Sequence, residues 1–196
     1  ANLLTIPAFA LSTVFMPLLS TLFARKENEQ MIRLYKTATR WTILIAIPAI
    51  IGILLFPERI LNSTAGSGYV EGVWALVLLA IGIFLNAMAT PANMILLAMD
   101  KTKLMMKNSI IACIVNIGLN LYLIPRYGMT GAALAFLCSS AVISWLRIQE
   151  ARTIVNAMPL DGRMGMPLLV AIIVAFVAFW SDGWLGLWIT MDIIRL

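Results

Sequence analysis

Residues 116–135 read NIGLNLYLIPRYGMTGAALA. An apolar helical stretch carries Asn116 and Asn120 four residues apart, so both amides lie on one helix face. Pro125 and Gly128 predict that this helix stops and turns tightly into a second apolar run. The second run opens on Gly131, Ala135 and Ser139, small residues at four-residue spacing. Such a ridge serves helix packing, because two backbones can approach closely where no large side chain intervenes. The stretch therefore predicts a helical hairpin with apolar arms.

Composition says where that hairpin sits. Of 196 residues, 62% are hydrophobic and 12% charged, with a mean hydropathy of +0.96. A soluble domain is roughly half apolar and a quarter charged, so this chain has too little polar surface to cover a soluble core. The net charge of +5 would suit nucleic acid. The charges gather in short loops between apolar runs, which points to membrane topology and to no nucleic-acid partner. No histidine is present, which removes the commonest general base and metal ligand. Cys113 and Cys138 sit inside apolar runs without C-x-x-C spacing and read as small hydrophobes. No metal and no cofactor are expected. Walker A, G-x-S-x-G, H-E-x-x-H and D-x-D patterns are absent, so no catalytic residue is assigned and no enzyme is expected. The chain opens on Ala1 rather than Met, inside one apolar segment, and ends inside another. It is expected to be a piece of a longer protein.

A helix needs ~20 mostly apolar residues to cross a bilayer. The segments 1–24, 41–56, 73–99, 104–124, 131–146 and 166–180 approach that length, and a seventh begins near Trp184. The expected fold is all-α, a polytopic transmembrane bundle of about six full spans plus a truncated seventh. Pro7, Pro17, Pro48 and Pro91 fall inside these segments, where neighbouring groups of a membrane bundle can satisfy the freed carbonyls. Alternate loops carry five, three and three basic residues against one, one and none. The positive-inside rule then puts loops 25–40, 100–107 and 147–165 in the cytoplasm and Arg126 outside. Trp41, Trp74, Tyr127, Trp145, Trp180 and Trp184 fall near segment ends, as an interfacial belt would. Met31, Leu34, Tyr35 and Ala38 recur at helical spacing, predicting a short amphipathic helix lying on the cytoplasmic membrane surface.

No charge is placed deep in any span by this reading. The polar residues within spans form stripes instead: Asn86, Thr90 and Asn93 on one segment, Ser109, Cys113, Asn116 and Asn120 on the next. Two readings compete. The stripes line a hydrated cavity whose amides bind sugar hydroxyls, or they hydrogen-bond between helices, each bond worth ~0.6–2 kcal/mol. Arg25, Lys26, Lys101, Lys103 and Lys107 are candidates to capture a substrate diphosphate at the inner leaflet. Topology determination and contact with lipid headgroups explain the same residues.

Four runs carry a family resemblance. They are FMPLLSTLFARKENEQMIRLYKTATRW (15–41), AIPAIIGILLFPERIL (46–61) followed by GSGY, LNAMATPANMILLAMDKTKL (85–104) and the hairpin stretch itself. In this order they resemble the C-terminal half of polysaccharide and lipid-linked oligosaccharide flippases, within the exporter superfamily that also holds multidrug extrusion transporters. The resemblance implies two six-helix lobes facing a central cavity, with two further helices in some members. Residues 1–150 would then belong to the C-terminal lobe, 151–165 to a cytoplasmic loop and 166–196 to an accessory helix pair. The implied function is flipping of lipid-linked oligosaccharide or polysaccharide repeat units across the cytoplasmic membrane by alternating access, as in lipopolysaccharide and O-antigen export to the cell envelope. The implied partners are the lipid-linked substrate, membrane lipids and polysaccharide-assembly proteins. Lipid II flippases carry basic residues inside the cavity and multidrug members carry carboxylates. These spans show neither, which favours the oligosaccharide branch. A multidrug or cation antiporter of the same superfamily is the alternative within transport, and a non-transporting scaffold of a polysaccharide-assembly complex is the alternative outside it.

Overall fold

A computed structural model describes residues 2–65 and 72–155, with side chains from Thr13 onward except 62–71. The described residues form five helices: α1 (Asn2–Ala24), α2 (Asn28–Leu55), α3 (Pro57–Ala65), α4 (Val73–Ala98) and α5 (Thr102–Val155). No strand occurs among the described residues. This is a helical membrane protein by length and composition: α2, α4 and α5 are each long and apolar enough to cross a bilayer. Pro48, Pro91 and Pro125 lie inside these helices without ending them.

Among the described residues the count of helices that qualify as spans is lower than the sequence predicts, for one physical reason. Helix α5 runs as one 54-residue element, yet Gly128 (φ 54°, ψ −128°) is non-helical and folds it into two arms. The expected segments 166–180 and 184–196 lie outside the described residues.

The arms of α5 run antiparallel. Asn116 of the first bonds Ser139 of the second, and Asn108 bonds Glu150. The ridge foreseen at Gly131, Ala135 and Ser139 is buried along its length. A Cβ on Gly131 would overlap the carbonyl of Leu123, so the turn closes only because that residue has no side chain. Helix α4 packs beside the second arm and runs parallel to it: Gly82 meets Phe136 and Leu137, and Asn86 meets Ser140.

Two turns are built alike. Lys26 (φ 59°) and Asp100 (φ 55°) adopt the left-handed conformation just past α1 and α4. Lys26 N–H donates to Phe23 O and Glu27 N–H to Leu22 O, both at 3.0 Å. Asp100 N–H donates to Leu97 O at 3.0 Å and Lys101 N–H to Leu96 O at 2.9 Å. Each set is a Schellman cap, which satisfies the last carbonyls of the helix and reverses the chain.

The expected surface helix over residues 25–40 does not form as a separate element. Helix α2 is continuous from Asn28 to Leu55. Met31, Tyr35 and Ala38 are buried, and Met31 and Tyr35 join Leu19 of α1, Ala92, Ile95 and Ala98 of α4, and Ala151 and Val155 of α5 in one core cluster. Burying that stripe against other helices removes the face that was expected to lie on lipid, because helical periodicity shows that a face is apolar and not what covers it. The cluster gathers the end of α1, the start of α2 and the ends of α4 and α5. The basic residues Arg25, Lys26, Lys101, Lys103 and Arg152 therefore share one end of the molecule. At the opposite half, Ile50 of α2 packs with Ala80 of α4. Trp41, Trp74, Tyr127 and Trp145 are all exposed.

Candidate functional site: a polar seam along the α5 hairpin

The second arm of α5 carries adjacent serines, Ser139 and Ser140, at the level where the two arms and α4 meet. Both are buried. Asn86 Nδ2 donates to Ser140 Oγ at 2.8 Å and to Gly82 O at 3.2 Å. Asn116 Nδ2 donates to Ser139 Oγ at 3.0 Å, and Ser139 Oγ donates to Phe136 O at 2.9 Å. Asn120 Nδ2 donates to Asn116 Oδ1 at 2.9 Å. The two asparagine stripes thus converge from two helices on one pair of serines.

The remaining stripe residues divide. Thr90 Oγ1 donates to Asn86 O within its own helix, at 3.2 Å. Asn93 is partly buried, and its Oδ1 is buried without a hydrogen-bond partner. Ser109 and Cys113 are exposed. Arg25, Lys26, Lys101, Lys103 and Lys107 are exposed.

The seam continues toward the basic end through residues that sequence reasoning missed. Asn108 is 0% exposed, and its Nδ2 donates to Glu150 Oε2 at 2.6 Å across the hairpin. Asn108 Oδ1, Ser144 Oγ and Arg147 Nε are buried without a hydrogen-bond partner. Asn86 and Ser140 are 54 residues apart in sequence; the same offset sets Asn93 level with Arg147. The sequence reading puts Arg147 at the start of a loop. The helix instead runs on to Val155, so Arg147 and Glu150 lie inside α5 and are partly buried. A signal was available: Ser144, Arg147 and Ala151 recur at helical spacing, extending the face that begins with Ser140. Asn108 had no comparable mark, since its neighbours Lys107 and Ser109 are polar too.

The seam offers amide and hydroxyl groups along its middle and a carboxylate and a guanidinium at one end. Among the described residues, no group of three or more His, Cys, Asp or Glu could hold a metal ion. The chemistry such a seam supports is hydrogen bonding, between helices or to a polar ligand.

Fold and seam together define a polytopic helical membrane protein with a polar interior line. The chain belongs to the lipid II flippase MurJ family, whose model matches residues 3–196. It is also 27% identical over 168 residues to a protein of Haloferax volcanii described as a probable low-salt glycan biosynthesis flippase, Agl15. That match covers 86% of this chain and 35% of the relative, so the chain spans about a third of the relative's length. The sequence criterion that set lipid II flippases aside, no basic residue within the spans, loses its force: Arg147 is partly buried within α5.

Proposed function

We propose that the full-length protein flips a lipid-linked saccharide, an oligosaccharide or polysaccharide repeat unit on an undecaprenyl- or dolichyl-type diphosphate, from the inner to the outer leaflet of the cytoplasmic membrane. This chain supplies helices of one of two lobes. The observation that carries the reading is the family match along nearly the whole chain. The relative described as a glycan flippase supports it. The structure supplies a fitting part. Alternating access needs a lobe that moves as a unit, and α4 with both arms of α5 is tied by Asn86–Ser140, Asn116–Ser139 and the close approach at Gly82. In this reading the basic end faces the cytoplasm.

The test is reconstitution of the full-length protein in vesicles carrying a polyprenyl-diphosphate-linked oligosaccharide, with a membrane-impermeant glycosidase outside. The sugar pool open to the enzyme is expected to rise from about half to nearly all when the protein is present, since flipping equilibrates two leaflets. A pool that stays at the protein-free level would withdraw the flippase reading in favour of the scaffold.

A further inference from the structure

At the basic end, α1 and α2 flank an open groove of about 520 Å3. Leu18, Leu22 and Leu34 give it an apolar lining, and Arg25, Arg33 and Gln30 supply its polar groups. We propose that this groove receives the diphosphate of the polyprenyl-linked saccharide before translocation, with the prenyl chain along the leucines. The inference rests on the flippase reading and names a docking site for its substrate.

Four observations carry it. First, Arg25 directly follows α1 and Arg33 stands in the second turn of α2, so two guanidinium groups from different sides line one hollow. A guanidinium fork matches phosphate oxygens two at a time. Second, the hydroxyls of Thr21 and Thr37, which also line the groove, donate at 2.9 Å to Pro17 O and Arg33 O of their own helices. The donors left for a ligand are the arginines and Gln30. Third, the ion pair that holds Arg33 is loose: Glu29 lies 3.8 Å away, with the side chains 70% and 90% exposed. An anion with better geometry can displace it. Fourth, Leu18 in the groove and Val14 one turn along α1 are 49% and 62% exposed, so an apolar path leads away from the arginines along the helix.

Charge complementarity selects the occupant. A diphosphate presents two phosphates to two guanidinium groups, whereas a phospholipid phosphodiester presents one. The groove is open rather than enclosed, so the sugar projects into the aqueous phase. Lys101, Lys103 and Lys107 do not line this groove.

The experiment uses the full-length protein in detergent, with polyprenyl diphosphate, polyprenyl monophosphate and phosphatidylglycerol as probes in a direct binding assay. Wild type is expected to prefer the diphosphate. The R25Q/R33Q variant is expected to lose roughly tenfold or more in diphosphate affinity, the order set by loss of charge-assisted hydrogen bonds. R126Q, an exposed position that does not line the groove, is expected to keep wild-type affinity. Both arginines lie outside the buried core, and an unchanged melting temperature will show that the variant folds. Undiminished diphosphate binding by R25Q/R33Q overturns the proposal. So does phosphatidylglycerol binding as tightly as the diphosphate and being lost in the same variant, which would make the groove a phospholipid site. Wild-type flipping in the vesicle assay, alongside either result, shows that the groove assignment has failed and the flippase reading has not.

Discussion

Gly128 is the residue on which the hairpin turns. Its φ of 54° with ψ of −128° lies where an L side chain is strained, even though no atom stands within 4 Å of the position a Cβ would take. Gly128→Ala is therefore expected to lower stability by ~1–3 kcal/mol through backbone strain alone. A melting temperature of the full-length protein in detergent equal to wild type would show that the turn relaxes. Lys26 gives the opposite sign. It holds a left-handed conformation that glycine adopts freely, so Lys26→Gly is expected to stabilise by up to ~1 kcal/mol. A lower melting temperature for this variant would mean that the lysine side chain contributes more than its backbone costs. Both positions show how far local sequence reaches. Gly128 beside Pro125 announces a turn, whereas nothing in the run R-K-E-N distinguishes Lys26 as the residue that reverses the chain.

At the scale of elements, the hairpin and α4 are joined by side-chain bonds between positions far apart in sequence. Asn108–Glu150 is the most consequential of these, since the amide is wholly buried and its acceptor is a carboxylate. A hydrogen bond to a charged group contributes ~1.5–3 kcal/mol. Asn108→Ala and Glu150→Ala are accordingly expected to be destabilising, with a coupling energy of ~1–3 kcal/mol in a double-mutant cycle. Additive single effects would mean that this bond does not hold the arms together. Packing between elements also explains why the amphipathic face of residues 31–38 reads as a membrane-surface helix in sequence. Its spacing is right for any covered face, and only the approach of α4 and α5 shows that protein covers it.

For the whole molecule, the asparagine stripes have two uses open to them, lining a cavity and joining helices. Asn86 and Asn116 are each engaged by a serine of the second arm, and Asn120 is engaged by Asn116. Asn93 retains a buried oxygen without a partner. Replacing Asn86, Asn93, Asn116 and Asn120 singly by cysteine in the full-length protein, with Cys113 and Cys138 removed, separates the two uses. Labelling by a membrane-impermeant thiol reagent, blocked by a lipid-linked oligosaccharide, is the outcome expected of a substrate cavity. Absence of labelling from both sides of the membrane would assign the asparagines to helix association.

Several features are legible in the residues alone: the chain is a helical membrane protein, the α5 hairpin turns after Pro125, and particular small residues let its arms close. The family is legible too, through four runs in order. Each of these is written locally. Transfer of apolar residues into lipid, helical periodicity and the conformational limits of proline and glycine act within a few turns of chain. Tertiary contacts were needed to establish that α5 continues past Arg147, that Met31 and Tyr35 face protein, and that Asn108 finds Glu150. Those outcomes depend on groups tens of residues apart arriving within hydrogen-bonding or contact distance, and no local preference encodes which of several polar or apolar faces will meet.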